Sequence, residues 1–208
     1  MKTKFFTIIV TLLTVCTLAK AQDKAGSLVL GFSPLGGISE KISLDDEKYK
    51  YDYKSFMNAS LGYERVFKGA ITLTEVSYSQ GKFDKYDLQG TSLWFNPAQE
   101  EDVYSVAVTQ YIGTTINPNK RVQLPLYIGI GGDYVNGGPL HNLTFDVAAK
   151  ARIKFYITNN FGIYVGATGR MGWGAKSASE KSSNYSSSKS YTITNTIWAA
   201  DAGIIIGL

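Results

Sequence analysis

Hydrophobic and polar side chains alternate with a period of two residues over much of the chain. The segment 143–157 shows this best, because its even positions are polar, charged or small and its odd positions are apolar. The apolar set is Leu143, Phe145, Val147, Ala149, Ala151, Ile153, Phe155 and Ile157. A helix would scatter the two sets around its axis, whereas a strand directs them to opposite faces. The pattern predicts one strand, much longer than the five or six residues usual in soluble sheets.

The same alternation recurs and predicts eight strands in all. They span 26–33, 54–67, 69–80, 102–113, 121–134, 143–157, 161–173 and 191–208. In the third strand Ile71 and Leu73 share their parity with the charged Glu75, which predicts a bulge near Thr74. Pro125 lies inside the fifth strand, where its missing N–H predicts another bulge or a water molecule.

The connections between these strands alternate in length. The short ones are residue 68, 114–120 and 158–160, and the long ones are 34–53, 81–101, 135–142 and 174–190. An even number of strands with short turns at one end and longer loops at the other is typical of outer-membrane barrels. We therefore expect an all-β fold, an eight-stranded antiparallel up-and-down transmembrane β-barrel.

The composition of the polar face indicates which side of the barrel meets lipid. A water-exposed surface carries roughly 25–35% charged residues, but this face is mostly Gly, Ser, Thr, Ala and Asn. Small neutral side chains suit the narrow lumen of an eight-stranded barrel. The opposite arrangement, a soluble lipocalin-like periplasmic binder with an apolar ligand in its bore, remains the alternative.

Several charged residues fall on the predicted lumen side. Lys150 or Arg152 facing lipid would each cost roughly 2–4 kcal/mol, so they must face the lumen, where unpaired charges are also costly. We predict one ionic network that closes the bore, with a charge-selective or proton path as the alternative. Its members are Glu64, Asp146, Lys150, Arg152, Arg170 and Asp201.

The N-terminal residues have the anatomy of a secretory signal. Lys2 and Lys4 precede an apolar stretch over 5–19, and Ala19 and Ala21 supply the small residues that a signal peptidase recognises. Fifteen residues reach only roughly 22 Å as a helix, short of a hydrocarbon core about 30 Å thick. We expect cleavage after Ala21, export, and a barrel domain over 22–208.

Charge and rare residues exclude several function classes. Residues 1–21 hold three of the 21 basic groups and none of the 17 acidic ones, so the remainder is nearly neutral, with no basic run that would favour nucleic acid. The single His141 and the single Cys16, the latter within the signal, cannot build a zinc site between them. We expect no cofactor and no metal centre.

The signal, the eight amphipathic strands and the glycine-rich runs 127–132 and 162–166 resemble small outer-membrane barrel proteins. This is the outer-membrane protein A/X-like group, often labelled "porin family". The resemblance implies a closed barrel in the outer membrane, usually without catalytic residues. Its implied partners are outer-membrane lipid, and envelope proteins or surface ligands that contact the four long loops. The expected role is non-enzymatic: structural, adhesive or accessory to an envelope machine.

A lipid-modifying outer-membrane enzyme is the remaining alternative. Some barrels that resemble this one are lipid-A deacylases, which use His, Ser and an acid and place the His two residues before the Ser. Here the position two residues after His141 is Leu143, so that motif is absent. We therefore predict no catalytic residue.

Overall fold

The computed structural model describes residues 26–44, 47–67, 70–89, 102–117, 121–136, 142–182 and 185–208. They form β1 (Ser27–Leu44), β2 (Glu47–Phe67), β3 (Ala70–Gln89), β4 (Val103–Ile116), β5 (Val122–Asn136), β6 (Asn142–Tyr156), β7 (Phe161–Ser182) and β8 (Tyr185–Gly207). Each strand pairs antiparallel with the next, and β8 pairs with β1 to close the barrel. The predicted eight-stranded up-and-down barrel is confirmed. Within the described ranges, no helix is long and apolar enough to cross a membrane.

The two faces of the wall separate as the alternation predicts. Along β6 every odd residue from Leu143 to Phe155 is exposed, and every even residue from Thr144 to Lys154 is buried. Burial in a closed barrel of this size means that a side chain faces the lumen, because the lumen is only wide enough to be filled by side chains. The apolar set of this strand therefore faces outward.

Strand β3 contains no bulge near Thr74, so that prediction is wrong. Its pairing is continuous with β2 from Ala70 to Gln80 and with β4 from Ala70 to Gly81. Ile71 and Leu73 are buried on the lumen side together with Glu75. The sequence prediction failed because it assigned every large apolar side chain to the lipid face, whereas this part of the lumen holds an apolar cluster.

The real irregularities lie in β1 and β2. The pairing of β1 with β8 shifts between Phe32 and Leu35, and the pairing of β2 with β3 shifts near Tyr53 and again before Met57. Beyond these shifts the buried positions change parity, since in β1 they pass from the odd Val29 to the even Ile38, Glu40 and Ile42. The alternation continues out of phase, which is why the sequence prediction ended β1 too early and began β2 too late.

The predicted long loops must therefore be corrected. Residues 34–53 are mainly a hairpin, because β1 runs to Leu44 and β2 begins at Glu47; likewise β7 and β8 occupy most of 174–190. In 81–101, β3 continues to Gln89, and the remaining residues 90–101 lie outside the described residues. The 135–142 connection lies between β5 and β6, and its central residues 137–141, including His141, also lie outside them.

The wall of the barrel is taller on one side than on the other, at the end opposite the short turns. Pairing of β3 with β4 ends at Gly81 and pairing of β6 with β7 ends at Trp173, at the end opposite the short turns. Strands β7, β8, β1, β2 and β3 remain paired with one another beyond that level. In β7 the nine residues 174–182 extend about 30 Å along the strand at 3.3 Å per residue. We call this five-stranded part the rim extension.

Pro125 is accommodated without the predicted bulge. The register of β5 with β4 is continuous through Pro125 and Thr115. On the other side, Gln123 and Leu126 pair with β6 in one register, and pairing is interrupted between them. Strand β5 thus accommodates the missing N–H through a local gap in its pairing with β6, without an extra residue.

Candidate functional site: the lumen of the barrel

The outer wall carries a broad apolar band. Ile128 and Leu143 keep 69% and 75% of their surface exposed. Other exposed apolar residues around the wall are Leu30, Phe32, Leu61, Val108, Ile112, Leu126, Ile130, Phe145, Val147, Ile153, Ile163, Val165, Met171 and Trp198. A soluble monomer rarely exposes a contiguous apolar patch larger than a few hundred Å². The band therefore suits lipid and not water.

The middle of the lumen holds four charged side chains in mutual contact, which we call the central cluster: Glu75, Lys150, Arg152 and Asp201. Lys150 Nζ donates to the two Glu75 carboxylate oxygens at 2.5 and 2.6 Å. Arg152 Nη2 donates to Glu75 Oε2 at 3.0 Å and to Asp201 Oδ2 at 3.4 Å. All four residues are buried. The cluster joins β3, β6 and β8 across the bore and balances two negative charges with two positive ones.

A second ion pair lies nearer the short turns. Lys154 Nζ donates to Glu64 Oε1, and the Tyr127 hydroxyl donates to Glu64 Oε2 at 2.6 Å. The ammonium and the carboxylate are almost completely buried. A buried carboxylate with two donors is compensated, whereas one left alone is strongly destabilising.

Arg170 and Asp146 face the lumen but do not join these ion pairs. Arg170 Nη1 donates to Ser77 Oγ at 3.1 Å, and Asp146 Oδ1 accepts from Thr144 Oγ1 at 2.8 Å. Among the described residues neither side chain has an oppositely charged group within 4.0 Å. The structure thus brings Lys150, Arg152 and Asp201 together and leaves the other three predicted residues apart from them.

The sequence analysis missed four charged residues that are buried in the described part of the barrel: Glu40, Glu75, Asp133 and Lys154. Lys154 shares the even parity of Lys150 and Arg152 on β6, and this signal was sufficient to find it. Glu75 shares its parity with apolar lumen residues, so the alternation alone pointed to the wrong face. Only the pairing of β3 with both neighbours establishes its orientation.

Aromatic rings support the buried cations. Lys150 Nζ lies 4.9 Å from the centre of the Tyr111 ring, and Arg152 Cζ lies 4.3 Å from that of Tyr164. A cation within about 6 Å of a ring face is attracted by the ring quadrupole. The rings therefore fix the long side chains laterally while the carboxylates compensate their charge.

Apolar side chains fill the lumen on both sides of the charges. An upper apolar cluster toward the rim extension consists of Ile38, Ile42, Tyr51, Tyr53, Val103, Val135, Ile193, Ile197 and Ala199. Two lower clusters consist of Ile71, Leu73, Tyr111, Tyr127 and Ala148, and of Val29, Tyr164 and Ile205. Most of these side chains are less than 5% exposed. The described lumen is packed like a protein interior.

Beside the central cluster lies a small cavity of about 10 Å³. Its polar lining includes Glu75, Ser77, Lys150, Arg170 and Asp201. A polar cavity of this size holds about one water molecule. Asp201 lines this cavity, and its Oδ1 atom has no hydrogen-bond partner among the described residues. Room for one water is far from a continuous aqueous path.

The chemistry of the described residues favours structural charge pairs over reactive groups. Over the described ranges no three His, Cys, Asp or Glu side chains form a metal-binding group. The ion pairs are held by fixed partners and are closed to solvent. Physically, these ion pairs tie β3, β6 and β8, and β2 and β6, together across the lumen.

Two solved structures resemble the barrel. The outer-membrane protein OprG from Pseudomonas aeruginosa has a TM-score of 0.53 and 12% identity, covering 89% of this chain and 97% of that chain. A major outer-membrane protein from Thermus thermophilus has a TM-score of 0.51 and 12% identity, covering 89% and 100%. No protein-family model and no curated protein matches the sequence. The chain has the fold of small outer-membrane β-barrels, with an exterior that suits the membrane.

Proposed function

We propose that this chain is a non-enzymatic outer-membrane barrel protein that anchors a projecting surface and does not conduct solutes. Residues 1–21 are its cleaved export signal and residues 22–208 its mature domain. The apolar band on the wall and the fold support the membrane location. The signal pattern supports the route by which the chain arrives there.

The observation that carries the proposal is the filled lumen. The central cluster spans the bore, apolar side chains pack on both sides of it, and the cavity beside it has room for about one water. An aqueous channel is a feature of barrels with about sixteen strands or more. The charges of the lumen therefore serve to close it, which favours a structural network over a charge-selective or proton path.

The rim extension supports a role in contact with other molecules. Strands of 18 to 23 residues, such as β1, β7 and β8, are much longer than the roughly 9–11 residues that cross a bilayer. The surplus length forms a paired sheet at the end opposite the short turns, with exposed Lys41, Lys48 and Lys82. We infer a structural, adhesive or accessory role in which this surface and the connections above it meet surface ligands or envelope proteins.

A conductance experiment tests the closed lumen. Purified mature protein is inserted into planar bilayers, with a sixteen-stranded porin as the positive control for insertion. We expect no channel events above the lipid background. Stable, ohmic, water-filled conductance of the wild-type barrel would refute the proposed role of the lumen charges.

Fractionation and protease treatment test the location and the orientation. We expect the protein only in the detergent-extracted outer-membrane fraction, with a mature N-terminus at Gln22. Protease added to intact cells should cleave the protein within the rim extension. Recovery without detergent would instead favour the soluble lipocalin-like binder. That alternative requires a hydrated exterior, whereas the wall of this barrel is apolar.

A further inference from the structure

A polar side chain interrupts the apolar band of the outer wall halfway along β4. Gln110 is exposed and lies six residues from Tyr104 in one direction and six from Ile116 in the other. Those twelve residues span about 40 Å along a strand that is tilted in the membrane, so Gln110 is near mid-depth. Its neighbours Ile112 on β4 and Ile130 on β5 are 59% and 58% exposed. An amide among such residues faces hydrocarbon, where an unsatisfied polar group is costly.

The hydrogen bonds of Gln110 within the chain are incomplete. Thr74, directly opposite on β3, donates its hydroxyl to Gln110 Oε1 at 2.6 Å, and Gln110 Nε2 donates to the Tyr111 carbonyl oxygen at 3.2 Å. An amide side chain has two N–H donors and an oxygen that accepts two hydrogen bonds. Among the described residues, one donor and one acceptor position of this exposed amide therefore have no partner.

The outer wall beside Gln110 is indented. A groove with a volume of about 990 Å³ begins at Thr72 and Gln110 and crosses β5, β6 and β7 to Trp198 on β8. The small Ala149 and Gly169 are part of its lining, and both are exposed. A protein seated on Gln110 can therefore also cover the part of this groove that adjoins β5.

We propose that this part of the wall binds a second copy of the chain, which gives a twofold dimer in the membrane. A twofold interface sets the same patch of both copies face to face. An amide suits such a contact, because Gln110 can donate to Gln110 of the second copy and accept from it. The two bonds use the remaining donor and acceptor positions of both side chains. The twofold axis also places the β3 side of one copy over the groove beside β5 of the other.

Lipid is the competing occupant of this surface. Acyl chains can fill the groove, but they carry no hydrogen-bonding group and leave Gln110 unsatisfied. An unrelated protein would have to supply a matching donor and acceptor at this depth, whereas a second copy supplies both by symmetry. The inference rests on the proposed function only for the position of the barrel in the membrane.

Energy transfer between copies in lipid vesicles tests the dimer. The chain beyond residue 21 contains no cysteine, so Asn159→Cys in the exposed turn before β7 can carry a donor or an acceptor dye. Transfer at increasing lipid-to-protein ratios gives a dissociation constant in the membrane. Gln110→Leu should weaken association about tenfold, because it removes two hydrogen bonds between the copies. The matched control Thr194→Val removes a hydroxyl from the outer face of β8 and should associate like wild type.

Absence of energy transfer above that of randomly distributed monomers would overturn the proposal. Association of Gln110→Leu as tight as that of wild type would also overturn it, as would equal weakening by Thr194→Val. If Gln110→Leu does not fold, as judged by its unheated gel mobility, oxidative cross-linking in membranes decides. Thr72→Cys should then form cross-linked dimers and Ala200→Cys on β8 should not, and any other result contradicts the interface. Fractionation tests the membrane location separately, so a monomer in the outer membrane contradicts the dimer alone.

Discussion

The substitution Glu75→Gln removes the negative charge at the centre of the central cluster. Glu75 accepts two hydrogen bonds from Lys150 and one from Arg152. Without the carboxylate, Lys150 loses its only ionic partner among the described residues, and Arg152 keeps Asp201 at 3.4 Å. Removing one partner of a buried pair costs about 3–5 kcal/mol. That is a large part of the roughly 5–15 kcal/mol by which a domain is stable.

Urea unfolding in lipid vesicles measures this loss, with the folded fraction read from gel mobility before heating. The control is Asp52→Asn, whose pair with Lys50 at 2.9 Å is partly open to solvent and should be worth less than about 1 kcal/mol. The double variant Glu75→Gln/Lys150→Met should lose less stability than Glu75→Gln alone, because no ammonium is left unpaired. If Glu75→Gln costs no more than Asp52→Asn, the lumen charges are hydrated and the reasoning is refuted.

Three further substitutions, two of them with a matched control variant, probe the wall, the packing and the second ion pair by the same unfolding assay. Ile128→Arg, in the middle of the exposed band, should cost about 2–4 kcal/mol, while Ile116→Arg beside a short turn should cost at most about 1 kcal/mol; equal losses would contradict the membrane position. Gly129→Val should lower the free energy of unfolding by about 1–3 kcal/mol through overpacking, because a Cβ at this position already lies 2.6 Å from the Tyr111 ring. Its control Gly169→Ala should leave stability unchanged, since a Cβ there meets no heavy atom within 4 Å. Lys154→Met should cost about 3–5 kcal/mol by leaving its glutamate partner unpaired in the lumen, and a loss below about 1 kcal/mol would show that this partner is solvated.

The number of strands could be predicted from the sequence. The orientation of a strand's side chains could be predicted where all its apolar residues face outward and all its polar residues face the lumen. In β6 all odd residues are apolar and meet the exterior, so alternation alone gives the correct orientation. In β3 the same rule fails, because Ile71 and Leu73 fill the lumen beside Glu75. A small barrel needs apolar side chains inside as well as outside, and sequence alternation does not distinguish the two.

Strand length could not be predicted where the register shifts. The changes of phase after Phe32 in β1 and near Tyr53 in β2 look like the end of a strand when each segment is considered alone. The pairing with neighbouring strands shows that both continue. Such shifts are a property of two strands together, and one segment of sequence carries little sign of them.

The alternation of odd and even positions predicted some of the charged residues in the lumen, but it did not predict their ion-pair partners. Parity places Lys150, Arg152 and Asp201 on the inner face. Which carboxylate each cation contacts depends on how β3, β6 and β8 stand opposite one another across the bore. This arrangement follows from barrel closure, which no local pattern encodes.

The most direct test of the account is the accessibility of spin labels along β6. The mature domain contains no cysteine, since Cys16 lies in the proposed signal, so single cysteines can be introduced and labelled without interference. Labels at the odd positions 143–155 should collide readily with lipid-soluble oxygen and rarely with a water-soluble relaxation agent. A label at Ala148, between them, should be shielded from both. Odd positions open to the aqueous agent, or an Ala148 label open to either agent, would contradict a lipid-facing wall around a filled lumen.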